Sequence, residues 1–340
     1  MRTTFAALAF AAAALPTAFA GATVNPSSLP HQSESGQYGY NDCTNYGASP
    51  NANCQTAHIN SLDDFCLFAP PQPGVTVGDS ERYEVAWCTR TDRAARLIPK
   101  GAIKSAHLIR TPHYIQITGT GDFTKMNIQA GDAGGELDPH GADGLGNPIG
   151  GVVLSEYPGQ LTQIKEWHQF ISSDEFCIRA CLPGPDAARW CQHIYDVMGC
   201  YWNDPGNYDG GFDECKADDT VSPPGVYKVV NGGKTSTSTW YQGVNPTPAA
   251  HAPAASSQCK AKASLTLGSY TTGRITTSTR PASTSTTTQA PAQPTAGTCK
   301  VTADCSNSPP ANANKYCNNG TCSFRCRSGF KQSGNTCVKA

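Results

Sequence analysis

The residues best placed to do chemistry stand in one glycine-rich run, from Gly131 to Gly151. It carries six donor side chains: Asp132, Glu136, Asp138, His140, Asp143 and Asn147. Glycines let short carboxylates and backbone carbonyls turn inward, which suits a hard cation such as Ca²⁺. The spacing departs from the familiar D-x-[DN]-x-[DN]-G-x₅-E calcium loop. Three readings stand open at this level. The run is a structural loop closed on itself by Asx-turns, a Ca²⁺- or sugar-binding loop, or a catalytic loop with Glu136 or Asp138 as acid/base and His140 as partner. Glycoside hydrolysis needs two carboxyls at a set separation, and Glu166 is a further acid within the same stretch of chain. No metal is assigned and no organic cofactor is expected; Ca²⁺ is the ion the loop suits.

Other constellations are weaker. His107, His113, His140, His168 and His193 are available to zinc, but no pair has H-x-x-x-H spacing. Cys177-x₃-Cys181 reads as disulfide chemistry in a secreted context. Glu166-Trp167-His168 reads as a buried aromatic beside a satisfied histidine. The acidic run Asn203–Glu214 reads as a solvated loop, with Trp202, Tyr208 and Phe212 as the alternative, a sugar-stacking platform. The sequence contains no G-x-S-x-G elbow, phosphate loop or dinucleotide fingerprint. On this evidence an enzyme is the less favoured class.

Residues 1–20 read as a secretory signal peptide: Arg2 is basic, Phe5–Ala14 apolar, and Ala18-Phe19-Ala20 fits the cleavage pattern. Residues 21–36 read as a flexible leader, 37–245 as a disulfide-bonded body, 246–298 as a Ser/Thr/Pro-rich O-glycosylated linker, and 299–340 as a cysteine-rich module. Ten cysteines precede the densest part of the linker: Cys43, Cys54, Cys66, Cys88, Cys177, Cys181, Cys191, Cys200, Cys215 and Cys259. Six follow it: Cys299, Cys305, Cys317, Cys322, Cys326 and Cys337. Both sets are even, as full oxidation requires, and Cys259 is expected to pin the linker's base to the body. The formal net charge of −1 is unevenly spread. Residues 21–258 hold 14 Lys/Arg against 25 Asp/Glu, a net −11, while the linker and the closing module are basic. A secreted acidic body does not suit nucleic acid. No second run approaches the ~18 apolar residues of a membrane helix, so no membrane anchor is expected.

Short β-branched runs with turn signals between them predict the fold class: a mainly β, disulfide-flanked antiparallel sandwich or barrel-like body with one or two short helices. Strands are expected at 81–88, 107–110, 114–118, 123–128 and 152–154. Helices are expected near 59–66 and over 185–198, ending at Gly199.

The closing module has an EGF-like turn at Cys326-Arg327-Ser328-Gly329-Phe330, and Asn319-Gly320-Thr321 is an N-glycosylation sequon. Four runs carry a family resemblance: Gln37–Cys43, Asp63–Cys66, the Gly131–Gly151 loop and His193–Cys200. Over roughly residues 36–260 the chain resembles the macrophage-activating glycoproteins of basidiomycetes. The closing module is similar to the cysteine-rich, EGF-like/PriA-like modules of fungal fruit bodies. The resemblance implies a secreted, extracellular or wall-associated fungal glycoprotein, non-catalytic and immunostimulatory through its glycans. It supplies no catalytic residue. Cell-wall polysaccharides or other matrix glycans are the partners expected. The alternative is a secreted carbohydrate-active enzyme using the carboxylates of the 131–151 loop.

Overall fold

Apolar residues in period-two runs must each find a sheet face to bury against, and here two sheets bury them against one another. The computed structural model describes residues 23–26, 28–38, 41, 43 and 48–270, together with strands at 313–318, 321–326, 330–333 and 336–339. The expected signal peptide, the Ser/Thr core of the expected linker, Cys299, Cys305 and Asn319 of the sequon lie outside the described residues.

In chain order the body contains β1 (Thr56–Ser61), β2 (Asp64–Ala69), the short helix α1 (Val77–Ser80), β3 (Val85–Cys88), β4 (Arg96–Leu97), β5 (Ile103–Arg110), β6 (Tyr114–Gly121) and β7 (Gly135–Leu137). There follow β8 (Val152–Ser155), β9 (Thr162–Ile164), β10 (Glu166–Ile171), β11 (Glu175–Cys181), α2 (Ala187–Trp190), α3 (Gly199–Asn203) and β12 (Gly211–Ala217). The hairpin β13 (Val226–Asn231) and β14 (Lys234–Thr239) precedes β15 (Ser256–Lys262). One sheet runs β4-β3-β2-β1-β8-β9, the other β15-β12-β5-β6-β11-β10-β7. The body is mainly β as expected, but neither sheet closes into a barrel. Nor is it purely antiparallel: β1–β8, β3–β4 and β5–β12 are parallel pairs.

The inner faces meet through aromatics. Phe65 of β2 stacks on Phe176 of β11 at 6.2 Å between ring centroids, and Phe68 packs on Trp167 of β10 at 5.3 Å. Gln169 stitches the sheets together, accepting from Phe68 N and donating to Phe68 O, both at 2.8 Å. Close contact of β5, β6 and β11 requires a glycine at 119, where a Cβ would lie 2.1 Å from Ser105 O and 2.7 Å from the Phe176 ring.

The ten body cysteines form five disulfides: Cys43–Cys54, Cys66–Cys88, Cys177–Cys200, Cys181–Cys191 and Cys215–Cys259. The last joins β12 to β15, so Cys259 does pin this segment to the body. The chain then runs back along the other sheet, where the Thr266 amide donates to Asp63 Oδ1 and the Tyr270 hydroxyl accepts from Leu97 N. Towards the C-terminus a second unit, 274–340, contains the hairpins β16 (Ala313–Asn318) with β17 (Thr321–Cys326) and β18 (Phe330–Ser333) with β19 (Thr336–Lys339). Cys317 stands opposite Cys322 in the first.

Three sequence-based expectations fail, and the strand expected at 81–88 holds only from Val85, since Glu81–Tyr83 is a 3₁₀ turn. The 59–66 helix is instead the β1–β2 hairpin. Ile59, Leu62 and Phe65 recur at a helical interval, but they are buried by a tight turn at Leu62-Asp63. The strand at 123–128 is a 3₁₀ turn over Phe123–Met126, closed by Asn127 at φ 75°. The 185–198 helix stops after Trp190 because Arg179 Nη1 takes the Trp190 carbonyl at 2.9 Å, removing it from the helical ladder. Ile194 and Val197, which made the stripe look apolar, are 40% and 80% exposed. No helix among the described residues is long and apolar enough to cross a membrane.

Candidate functional site

Period-two alternation places Glu166, His168 and Phe170 of β10 on the outer face of the seven-stranded sheet. The antiparallel register sets Glu136 of β7 opposite Phe170. Two and four residues further on, Asp138 and His140 continue along the same face. An outer face is ordinarily solvated. This one is roofed by residues 182–207, fastened to β11 through Cys177–Cys200 and Cys181–Cys191. The polar side chains beneath the roof must therefore satisfy one another.

The middle of this layer is an ion network. Asp204 meets His168 Nε2 at 2.8 Å and Arg179 Nε at 3.0 Å, all three side chains being fully buried. Arg179 also donates twice to Gln116 Oε1, at 2.9 and 2.7 Å, and lies over the Tyr114 ring at 4.3 Å. Burial alone would push the Asp204 carboxyl up, but Arg179 and His168 outweigh it and hold the group below its ordinary value. Glu166-Trp167-His168 is thus a buried aromatic beside a hydrogen-bonded histidine. Towards β12, a cavity of about 200 Å³ is lined by His107, Gln116, Thr118, Asn207 and Asp213. Its histidine is held by Asp213 Oδ1 and the Asp209 carbonyl, each at 3.0 Å.

The six side chains of the Gly131–Gly151 run do not converge on one point. Asp132 Oδ2 accepts from Val77 N at 2.8 Å, at the start of α1. Asp143 binds Arg82 through both carboxylate oxygens, at 3.0 and 2.7 Å, and Asn147 Oδ1 accepts from the same guanidinium at 3.1 Å. Asp138 closes an Asx-turn, its Oδ1 accepting from His140 N and Gly141 N. Only Glu136, Asp138 and His140 face the layer under the roof, and Glu136 and Asp138 are just 6% and 4% exposed. The aromatic platform is likewise turned inward: Trp202 is buried between Tyr195 and Trp240, donating to Pro248 O.

What sequence reasoning missed is a convergence at the β7 end of the layer. His140, Glu166 and His193 place donor atoms within 4.8 Å of one another. His140 Nε2 lies 3.6 Å from Glu166 Oε2, and the two imidazoles stack at 4.6 Å. Glu34 Oε2 stands 3.9 Å from His140 Nδ1. Burial, then the adjacent Asp196 carboxyl and the Asp138 charge, hold Glu136 well above the usual carboxylate range. Burial also raises Glu166, partly opposed by His140. Burial lowers His193, partly opposed by Asp138. In the sequence His193 is only one of five histidines open to zinc, and its spacing does not join it to His140; it reaches the site through the two disulfides that position the roof.

No family model matches the chain and no solved structure matches it. Two curated relatives do, both from Mycosarcoma maydis. Appressorium protein ROW2 is 51% identical over 256 residues, which is 73% of this chain and 85% of the relative. Appressorium protein ROW1 is 48% identical over 233 residues, 67% of this chain and 53% of the relative, so the chain spans about half of that protein's length. Identity at this level over most of ROW2 shows kinship, and with it the fungal character of the sequence: the chain belongs to the family of the fungal appressorium proteins ROW2 and ROW1.

Proposed function

We propose that this chain is a non-catalytic, glycosylated extracellular protein of the fungal surface that serves the wall of an appressorium-type cell and rests on wall polysaccharide. The observation that carries this reading is the burial of the acids. Glu136 and Asp138, the best acid/base candidates of the loop, lie beneath the disulfide-bonded roof, and Asp143 is paired with Arg82. A glycosidase needs two carboxyls flanking an open sugar site. Five body disulfides suit an oxidising exterior, and the printed names of ROW2 and ROW1 tie those relatives to the appressorium. The finer kinship with macrophage-activating glycoproteins, with immune recognition resting on glycans of the linker, belongs to the same proposal.

The test incubates the full chain with isolated fungal wall polysaccharides and follows both loss of protein from solution and release of soluble sugar. Depletion without release supports the reading. Sugar release that disappears in Glu136→Gln or Asp138→Asn makes the protein an enzyme and overturns it. Absence of both removes the polysaccharide contact.

A further inference from the structure

We infer that His140, His193 and Glu166 form a binding site for a borderline divalent transition metal of the Zn²⁺ class, clamping the roof to the edge of the seven-stranded sheet. The inference is independent of the polysaccharide reading above.

The donor set comes first. Two imidazoles and one carboxylate suit Zn²⁺ rather than Ca²⁺, which takes oxygen shells. The three residues belong to three separate segments: His140 to the loop after β7, Glu166 to the first position of β10, and His193 to the roof. Their donor atoms nevertheless gather within 4.8 Å. The His140–Glu166 separation of 3.6 Å is close to the ~3.4 Å edge of a tetrahedron with ~2.1 Å metal–ligand bonds. Both side chains remain partly exposed, at 27% and 21%, which leaves an entry path and a fourth position for water.

The second observation is a set of unmet polar atoms. Glu136 Oε1, Glu166 Oε2 and His193 Nδ1 are all buried with no hydrogen bond of ordinary length; the nearest approach to Glu166 Oε2 is the His140 Nε2 contact at 3.6 Å. Buried donors and acceptors left in this state are costly and rare, and here three lie together. Charge points the same way. Glu34, Glu136, Asp138, Glu166 and Asp196 surround the two histidines. Two guanidinium groups of the flanking segments are engaged elsewhere, Arg82 with Asp143 and Arg179 with Asp204, while Lys165 donates to Ser33 O and its charge reaches the cluster only through Glu34. A bound cation would supply what the cluster lacks. Glu34, behind Nδ1 of His140, has the place of the outer carboxylate that orients a metal-bound imidazole.

The experiment uses the full oxidised chain, stripped with a chelator and titrated with Zn²⁺ by calorimetry, with Co²⁺ absorption as a second reading of coordination. The expected result is one equivalent bound, not displaced by excess Ca²⁺. It comes with a melting-temperature rise of about 5–10 °C at metal concentrations 100-fold above Kd. His193→Ala and the isosteric Glu166→Gln should each weaken binding by on the order of 100-fold. His113→Ala, an exposed histidine away from the cluster, should leave it unchanged. Glu166→Gln preserves shape, so a loss there reads coordination rather than folding. Absence of stoichiometric binding, or binding that survives both His193→Ala and Glu166→Gln, overturns the site.

Discussion

Replacing Glu84 by Gln should change the pH dependence of stability, and the size of the change follows from where the carboxyl sits. Glu84 precedes β3 and is wholly buried. Burial pushes its pKa from 4.5 up to about 8, with the charges of Glu81 and Asp132 adding to the rise and the Ser80 hydroxyl opposing it. The Ser80 hydroxyl lies 2.8 Å from both Thr76 O and Glu84 Oε1. Its single hydrogen can serve only one of them, so a protonated Glu84 completes the pattern by donating to Ser80. The sign then follows from linkage. Below pH 4.5 the carboxyl is neutral in both the folded and unfolded states and nothing is lost. As pH rises, the unfolded chain ionises first, so folding takes up a proton and stability falls by about 1.4 kcal/mol per pH unit. The fall ends near pH 8, where the folded carboxyl ionises, after a total of roughly 5 kcal/mol over the interval from 4.5 to about 8. Gln keeps the shape and the acceptor and cannot ionise. Urea melts followed by tryptophan fluorescence should therefore show Glu84→Gln and wild type nearly equal at pH 4. The variant should be more stable by about 3 kcal/mol at pH 7 and more still at pH 8. Parallel profiles over that range, within about 1 kcal/mol, would refute the reasoning and place an ionised Glu84 in the fold.

Two further perturbations address the roof and the strand beyond it. Arg179→Met leaves Asp204 buried and uncompensated; it should cost about 3–5 kcal/mol in urea melts, and Arg179→Met with Asp204→Leu should recover much of that loss. Removing Cys215 and Cys259 together, each to Ala, frees a closure of 44 residues. Chain entropy sets that loss at about 4 kcal/mol, read as a lower urea midpoint with faster amide exchange in β15 than in β6.

Some of this architecture is legible in the sequence because it is local. The β5–β6 hairpin follows from two β-branched runs separated by Thr111-Pro112-His113, and the nine cysteines of the body with Cys259 of the linker's base make the even set that anticipates five disulfides. Where the reading fails, a short interval imitates another period. Ile59, Leu62 and Phe65 recur every three residues yet lie on two strands, and only their burial against the facing sheet decides between the readings. The helix expected through 198 ends early because the Arg179 guanidinium of β11 captures the Trp190 carbonyl, a contact that helical periodicity does not encode. The candidate site is legible by halves. Glu136, Asp138 and His140 stand in the run that the sequence singles out as a donor-rich loop, and the structure brings these three together. His193 arrives through the disulfides, and disulfide connectivity does not follow from cysteine spacing.

The position of the proposed metal site follows from how the polar layer is closed along its length. A sandwich's outer face can carry charge cheaply because water solvates it, and covering that face with a disulfide-bonded roof removes the water. Near β12 the cost is met by His107 with Asp213 and the Asp209 carbonyl. In the middle it is met by Arg179, the cation that Asp204 and Gln116 require. At the β7 end the layer holds two histidines and several carboxyls, and the guanidinium on the flanking segment, Arg82, is turned away to hold the loop at Asp143 and Asn147. These two loop residues, which read as metal ligands in sequence, are thus paired with a guanidinium and not with the cluster. Glu136, Glu166 and His193 keep unmet buried atoms here, as His168 Nδ1 and Asp204 Oδ2 do in the middle of the layer, but only at this end do two imidazoles and a carboxylate gather within 4.8 Å, so a divalent ion would be held at this end and not at the others.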